Sequence, residues 1–445
     1  MGRKTANEKN SSKGGEWTWW SVLLAVITLA LFGFLTHLTG GLSTSARIRK
    51  KNQENMAARA RASSIKTTPN GSSAAKQPSL ASEQTPDAAP TDYQFTGFGY
   101  DGKEIFASSI LAYSGVPTDS EDGGPAPKDA ATFYGEGSNQ ASVALSNVRK
   151  GQRFIVTIAA DRFIKPSRFE FTIEENEGFV EVAPNMIYDY GELSRLRQTV
   201  PFNITFTVQR GNERPKSQSE TWIAHPVNDC QVVTAGYYLT KTGEIKHKPD
   251  DISYSFTGYV NENHPWVDGL LKEALATRIC SSFDGYQQGE RNVKLQVAAV
   301  WAALKRRGIS YSNISTTTTS GSNSYQHVRF LDESIEASQA NCIDGSVLMA
   351  SIFRKIGLNV SIILVPRHAY VAVLNKDGDQ YLFAIETTML KSAELEKAIE
   401  HATETGPEAL SKVYEKIVDD TNLRYQEINI GEARKLGIQP IPFTR

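Results

Sequence analysis

Residues 341–390 read NCIDGSVLMASIFRKIGLNVSIILVPRHAYVAVLNKDGDQYLFAIETTML, and their pattern is helix, strand, strand, strand. Asn341 is a helix N-cap, with Cys342 and Asp344 in the first turn. Val347, Leu348, Ser351, Ile352 and Ile356 recur at helical spacing, and Gly357 ends the helix after Arg354 and Lys355. A strand follows from Val360 to Val365, stopped by Pro366. His368 opens a second strand running to Leu374. Asn375 to Asp379, with its Asp-Gly pair, is a hairpin loop, and Gln380 to Thr387 returns.

The hairpin carries a geometric expectation. If Leu374 pairs with Gln380, the same register puts His368 directly opposite Glu386, on one face, with Cβ atoms roughly 5 Å apart. A two-residue turn would shift the register by one and send the two side chains to opposite faces. Cys342, at a helix start, meets the macrodipole and free backbone N–H groups, which favour a thiolate, as does a nearby imidazolium. A thiolate, an imidazole to move the proton and a carboxylate to orient the imidazole make a nucleophilic acyl-transfer centre. Taken singly, a cysteine in an apolar helix is ordinarily buried and inert, and a strand-end histidine or glutamate is ordinarily a satisfied surface group. The combination, in this order and on these elements, is what points to chemistry.

A cysteine on a helix start, HAYV on a strand and a carboxylate before Thr-Thr on the next strand resemble the transglutaminase-like core of the papain-like cysteine enzymes. The resemblance covers roughly Tyr259 to Arg445. It implies an α+β transglutaminase-like (papain-like) fold, with Cys342 as nucleophile, His368 as base and Glu386 as orienting acid. The family's usual third residue is Asp, and Glu386 departs from it; the aromatic after His-Ala is kept as Tyr370. The implied substrate is a peptide or protein amide. Water as acceptor would make a protease or amidase, and an amine would make cross-links. No cofactor is expected. Zinc is a poor alternative, because no second Cys or His lies close enough in sequence to suggest a structural site.

The 445 residues are enough for two or three domains. Forty-eight basic against 49 acidic residues give a net charge of −1, so no basic field argues for a nucleic-acid partner. Three cysteines are too few for a disulfide scaffold. Cys230 and Cys280 could form one bridge in an oxidising compartment, or all three could be thiols.

The N-terminal segment, residues 1–16, is polar and basic. Residues 17–39 contain WTWWSVLLAVITLALFGFLTHL, and about 22 helical residues span roughly 33 Å, enough for a bilayer core. Trp17, Trp19 and Trp20 cluster at one end as interfacial anchors do. The run is long for a signal peptide and no clear Ala-x-Ala site follows, so a retained single-pass transmembrane helix is expected. Arg47, Arg49, Lys50, Lys51, Arg59 and Arg61 after the span lean towards a cytoplasmic body. The linker, residues 40–92, is rich in Ser, Ala, Thr, Pro and Gln from residue 62 onward and reads as a tether for an exported one; the exported face is the expectation.

Residues 93–135 are a mixed segment, aromatic-rich at Tyr93, Phe95, Phe98 and Tyr100 and then loop-like. Residues 136–250 read as an all-β immunoglobulin-like sandwich of about seven strands. Phe169, Phe171 and Ile173 alternate with polar residues, as do Phe202, Ile204, Phe206 and Val208. No catalytic cluster shows there; spacing or partner binding is its expected role. Residues 251–445 form the transglutaminase-like domain. In it, one helix begins at Pro265 and a second carries Val293 to Leu304 and closes at Gly308. A polar loop, Ser315 to Ser324, separates these from the nucleophile. Two readings of function follow: a membrane-anchored Cys-His-Glu acyl-transfer enzyme, or a non-catalytic binding or scaffold protein of the cell envelope that keeps the fold.

Overall fold

The computed structural model describes residues 92–116, 127–135, 140–312, 317–320, 323–418 and 424–442. The basic segment, the transmembrane helix and nearly all of the linker expected at residues 1–92 lie outside them. No helix among the described residues is long and apolar enough to cross a membrane. The described chain is mixed α+β.

Nine strands build the two main sheets of the first lobe: β1 (Gln94–Gly99), β2 (Glu104–Phe106), β3 (Thr132–Gly135), β4 (Ala141–Val148), β5 (Arg153–Ala160), β6 (Ser167–Thr172), β7 (Glu177–Ala183), β8 (Val200–Arg210) and β9 (Lys216–His225). They form two sheets, in the orders β1-β4-β7-β3 and β2-β9-β8-β5-β6. Period-two patterning dictates which side is wet. Along β8, Phe202, Ile204, Phe206 and Val208 are buried. The intervening Thr205 and Thr207 face solvent and share hydroxyl hydrogen bonds with Ser219 and Ser217 of β9, at 2.8 and 2.9 Å. Trp222, fully buried, packs among Phe202 and Phe206, and truncating it to alanine would cost about 4 kcal/mol. Two glycines of β1 make this packing possible. A Cβ at Gly97 would stand 2.3 Å from the Phe206 ring, and one at Gly99 2.6 Å from Trp222.

The segment 93–135 therefore does more than connect. It supplies β1 and β3 to one sheet and β2 to the other, beside six strands from residue 136 onward, where the alternation suggested about seven. Beyond β9 the chain also departs from the expected boundary at 250. β10 (Asp229–Thr234) turns away from the first two sheets into a third, ordered β11-β10-β14-β13, with β11 at Asp250–Asp251, β13 at Thr317–Ser320 and β14 at Asn323–His327. Part of the polar loop expected at 315–324 is thus the β13–β14 hairpin.

The seam between the lobes is tightly joined. The helix α1 (Ala107–Ala112) follows β2 directly and packs against the buried 3-10 turn Ser253–Tyr259. Gln439 N–H donates to Ala112 O at 2.9 Å and Ile441 N–H to Gly258 O at 2.7 Å, so residues 439–441 close over α1 and the turn beneath it. Within this seam the buried His225 lies between Glu104 at 3.4 Å and Asp229 at 3.5 Å. Its ring stacks on Phe106, with centroids 4.2 Å apart.

The second lobe is built on a fourth sheet, β18-β17-β16-β19, with β16 at Val360–Val365, β17 at His368–Leu374, β18 at Tyr381–Ile385 and β19 at Gln426–Asn429. Its central strands, VSIILV and HAYVAVL, are apolar almost throughout, as strands covered on both faces must be. On one side lies the helix α5 (Cys342–Lys355), whose Val347, Leu348 and Ile352 share a core with Val371, Val373 and Ile385. Beyond it stand α2 (Pro265–Leu275), α3 (Glu290–Arg306) and α4 (Leu331–Ala337). The other face, with Ile363, Tyr370 and Ala372, is covered by Leu410, Val413 and Ile417 of α7 (Leu410–Val418). The short helices α6 (Leu395–Glu400) and α8 (Ile430–Lys435) complete the lobe.

Candidate active site

The helix that carries Cys342 starts where it does because its first turn is satisfied twice over. Asn341 Oδ1 accepts from Asp344 N–H at 2.9 Å, and Asp344 Oδ2 accepts from Asn341 N–H at 3.1 Å, a reciprocal capping box. Asp344 is then held from outside the helix by Arg329, through its N–H at 2.9 Å and Nη1 at 3.0 Å. Burial pushes the Asp344 carboxyl up, against the pull of these donors. Cys342 thus occupies the first helical position on a fixed backbone. Its side chain is partly exposed, whereas Cys230 and Cys280 are buried; all three are free thiols.

His368, the first residue of β17, donates through Nε2–H to Glu386 Oε2 at 2.7 Å. The Cys342 side chain lies near enough to this imidazole to add to its basicity. Burial alone would lower the basicity of this imidazole, but the bonds to Cys342 and Glu386, and their charges, outweigh it and raise its pKa to about 10. For Glu386, burial would raise the pKa; His368 first, then the Thr388 hydroxyl and N–H, hold it below the ordinary carboxylate value. The structure therefore brings the three expected side chains together.

It does so by a route different from the expected register. Leu374 pairs with Tyr381, not Gln380. The loop is longer than the Asp-Gly pair suggested, because Asn375 organises it: its Oδ1 accepts from Asp379 N–H at 2.9 Å and its Nδ2 donates to Asp379 Oδ1 at 2.7 Å. That pairing alone would put His368 and Glu386 on opposite faces. A bulge corrects it. Between Leu374↔Tyr381 and Val373↔Phe383, Leu382 is the extra residue on β18, and one extra residue restores the parity. The continued ladder, Val371↔Ile385, leaves Glu386 diagonal to His368 on the same face, two positions from direct opposition. The long glutamate arm spans that diagonal.

Glu386 is no longer strand. It caps the 3-10 turn Thr387–Met389, with Oε1 accepting from Thr388 N–H at 3.1 Å and Thr388 Oγ at 2.5 Å. Glu386 N–H donates to Ala398 O of α6 at 3.1 Å. The turn is tied to the nucleophile's own backbone, since Thr387 Oγ donates to Cys342 O at 3.3 Å. That approach needs a glycine: a Cβ at Gly345 would lie 2.9 Å from Thr387 Oγ. Thr387, Thr388, Gly345 and Arg329 are supporting residues to which the linear pattern gave no role. Only the Thr-Thr pair following Glu386 offered a local signal, since threonine hydroxyls readily bond a preceding acid. Tyr370, by contrast, is buried, and its hydroxyl donates to Glu408 O at 3.0 Å.

Such an arrangement has a sulfur at a helix start, a protonated imidazole beside it and a buried acid behind, and it can carry a nucleophile and a proton donor to one carbonyl. In comparisons with known proteins, no family model matches the chain and no curated protein does.

Proposed function

We propose that the protein is a cysteine-dependent acyl-transfer enzyme on a transglutaminase-like core, anchored to a membrane through residues 17–39, with a peptide or protein amide as substrate. The observation that carries the reading is the gathering of Cys342, His368 and Glu386 at one place, with the acid bonded to the imidazole at 2.7 Å. Cys342 attacks the amide carbonyl as the thiolate. A C–S bond forms, and backbone N–H groups at the start of α5 hold the oxyanion. The tetrahedral adduct collapses with loss of the C–N bond, and the leaving amine takes its proton from the His368 imidazolium. Water or an amine then attacks the thioester, His368 receives its proton, and the thiolate leaves. Glu386 keeps the imidazole oriented and stabilises its charge throughout. Its departure from the family's aspartate fits the diagonal placement, where a shorter side chain would fall short. The first lobe, read as an immunoglobulin-like module, serves as spacer or partner-binding surface.

Alkylation by iodoacetamide, resolved by peptide mass spectrometry, tests this. Cys342 should react selectively, and His368→Ala should slow it by about 100-fold. Slow labelling of all three cysteines at similar rates would instead support a non-catalytic scaffold.

A further inference from the structure

Among the described residues, Tyr311 is the most exposed of the large hydrophobic side chains, at 48 %, and it stands beside the proposed nucleophile. The two-residue strand β12 (Ser310–Tyr311) pairs in parallel with β15 (Gln339–Ala340), placing Tyr311 against Ala340. Ser312 N–H extends the pairing, donating to Ala340 O at 3.0 Å. Asn341 and Cys342 follow immediately. The same short strand packs against the Thr387–Met389 turn that Glu386 caps. Tyr311 is therefore held between the chain entering the nucleophile and the chain leaving the acid. Partial burial first, and then the charges of Cys342 and Glu386, keep its hydroxyl above the ordinary phenol value, so the ring's polar tip is within electrostatic reach of both.

An aromatic ring fixed by a ladder but left open to water is apolar area awaiting a partner, and it can be covered at little cost in side-chain entropy. We propose that Tyr311 determines specificity at this site: its ring is one wall of the acyl-side subsite and selects substrates with an apolar side chain next to the scissile carbonyl. The proposal rests on the acyl-transfer reading and deepens it by naming the substrate class.

The test uses the full chain and two activated esters, p-nitrophenyl acetate and p-nitrophenyl 3-phenylpropionate. Each acylates a competent thiolate: the C–S bond forms, the ester C–O bond breaks, and nitrophenolate leaves and is read by absorbance. The intact thioester on Cys342 is read by mass. The wild type should prefer the phenylpropionyl donor. Tyr311→Ala should lower that donor's rate about tenfold, the scale of one lost apolar contact, and leave acetyl transfer within about twofold. Tyr311→Phe should keep the preference. If Cys342 is acylated but Tyr311→Ala leaves the ratio of the two rates unchanged, the specificity assignment is wrong and the acyl-transfer reading survives. If neither ester acylates Cys342, both fall.

Discussion

Two of the histidine–carboxylate clusters among the described residues differ in an instructive way. At the seam, His225 has a carboxylate facing each ring nitrogen, Glu104 at 3.4 Å and Asp229 at 3.5 Å. Phe106 and Tyr325 pack on the ring. His327 shares Asp229 at 3.6 Å. Burial would lower the His225 pKa, but Asp229 and then Glu104 outweigh it and raise the value. At the second-lobe site, His368 has one carboxylate on Nε2 and the partly exposed Cys342 nearby. Both imidazoles are made more basic by the groups around them. Only the second has a neighbour that can use the proton in covalent chemistry. A perturbed histidine does not by itself locate a reaction centre; the identity of its second partner does.

Breaking the geometry at one cluster only is the most severe test. Glu386→Ala leaves the ladder in place and removes the acid from His368; alkylation of Cys342 should fall by about 100-fold, as for His368→Ala. An unchanged rate in this variant would show that the acid does not support the imidazole. Asp229→Ala should act the other way round. Removing one member of a buried ionic cluster should destabilise the protein by about 3 kcal/mol in urea unfolding, while the Cys342 alkylation rate of the folded protein stays within about twofold. A large fall in that rate would mean the seam and the site are coupled. Gly345→Ala should fall between them in kind, moving the Thr387 turn off the helix with a loss of about 1–2 kcal/mol and a reactivity loss of several-fold.

The smallest effect is a pH dependence with a definite sign. His368 has a folded pKa of about 10, above the ordinary 6.5 of the unfolded chain. Its contribution to stability is therefore complete below about pH 6.5 and is lost as pH climbs through about 10. The gap in Tm between wild type and His368→Ala should narrow steadily between pH 6.5 and pH 10.5. A gap that widens over that range would show that the folded protein holds the imidazole neutral.

Much of the site was legible because its signals are local. Asn341 announces the helix start, Pro366 ends one strand before His368 begins the next, and Glu386 stands on the following return. The error of register came from two features without a local signature: an asparagine side chain that lengthens the loop, and a bulge at a leucine indistinguishable from its neighbours. In the first lobe, the alternation along β8 reads directly from Phe202 to Val208. β1 was harder, since Gly97 and Gly99 look like loop residues until Phe206 and Trp222 are seen lying against them. The pairing of β10 with β14 joins residues far apart in the chain, and no periodicity within either strand names its partner.

That last pairing bears on how the protein can be handled. A recombinant fragment begun at residue 251 would lack β10, an interior strand of its sheet, and would lose α1 from beneath the C-terminal tail. Such a piece would expose unpaired strand edges on the very β14 hairpin that leads, through Arg329, to the cap of the Cys342 helix. The second lobe is therefore not separable from its neighbour at the boundary that composition suggests, and a useful truncation must keep everything from β1 onward.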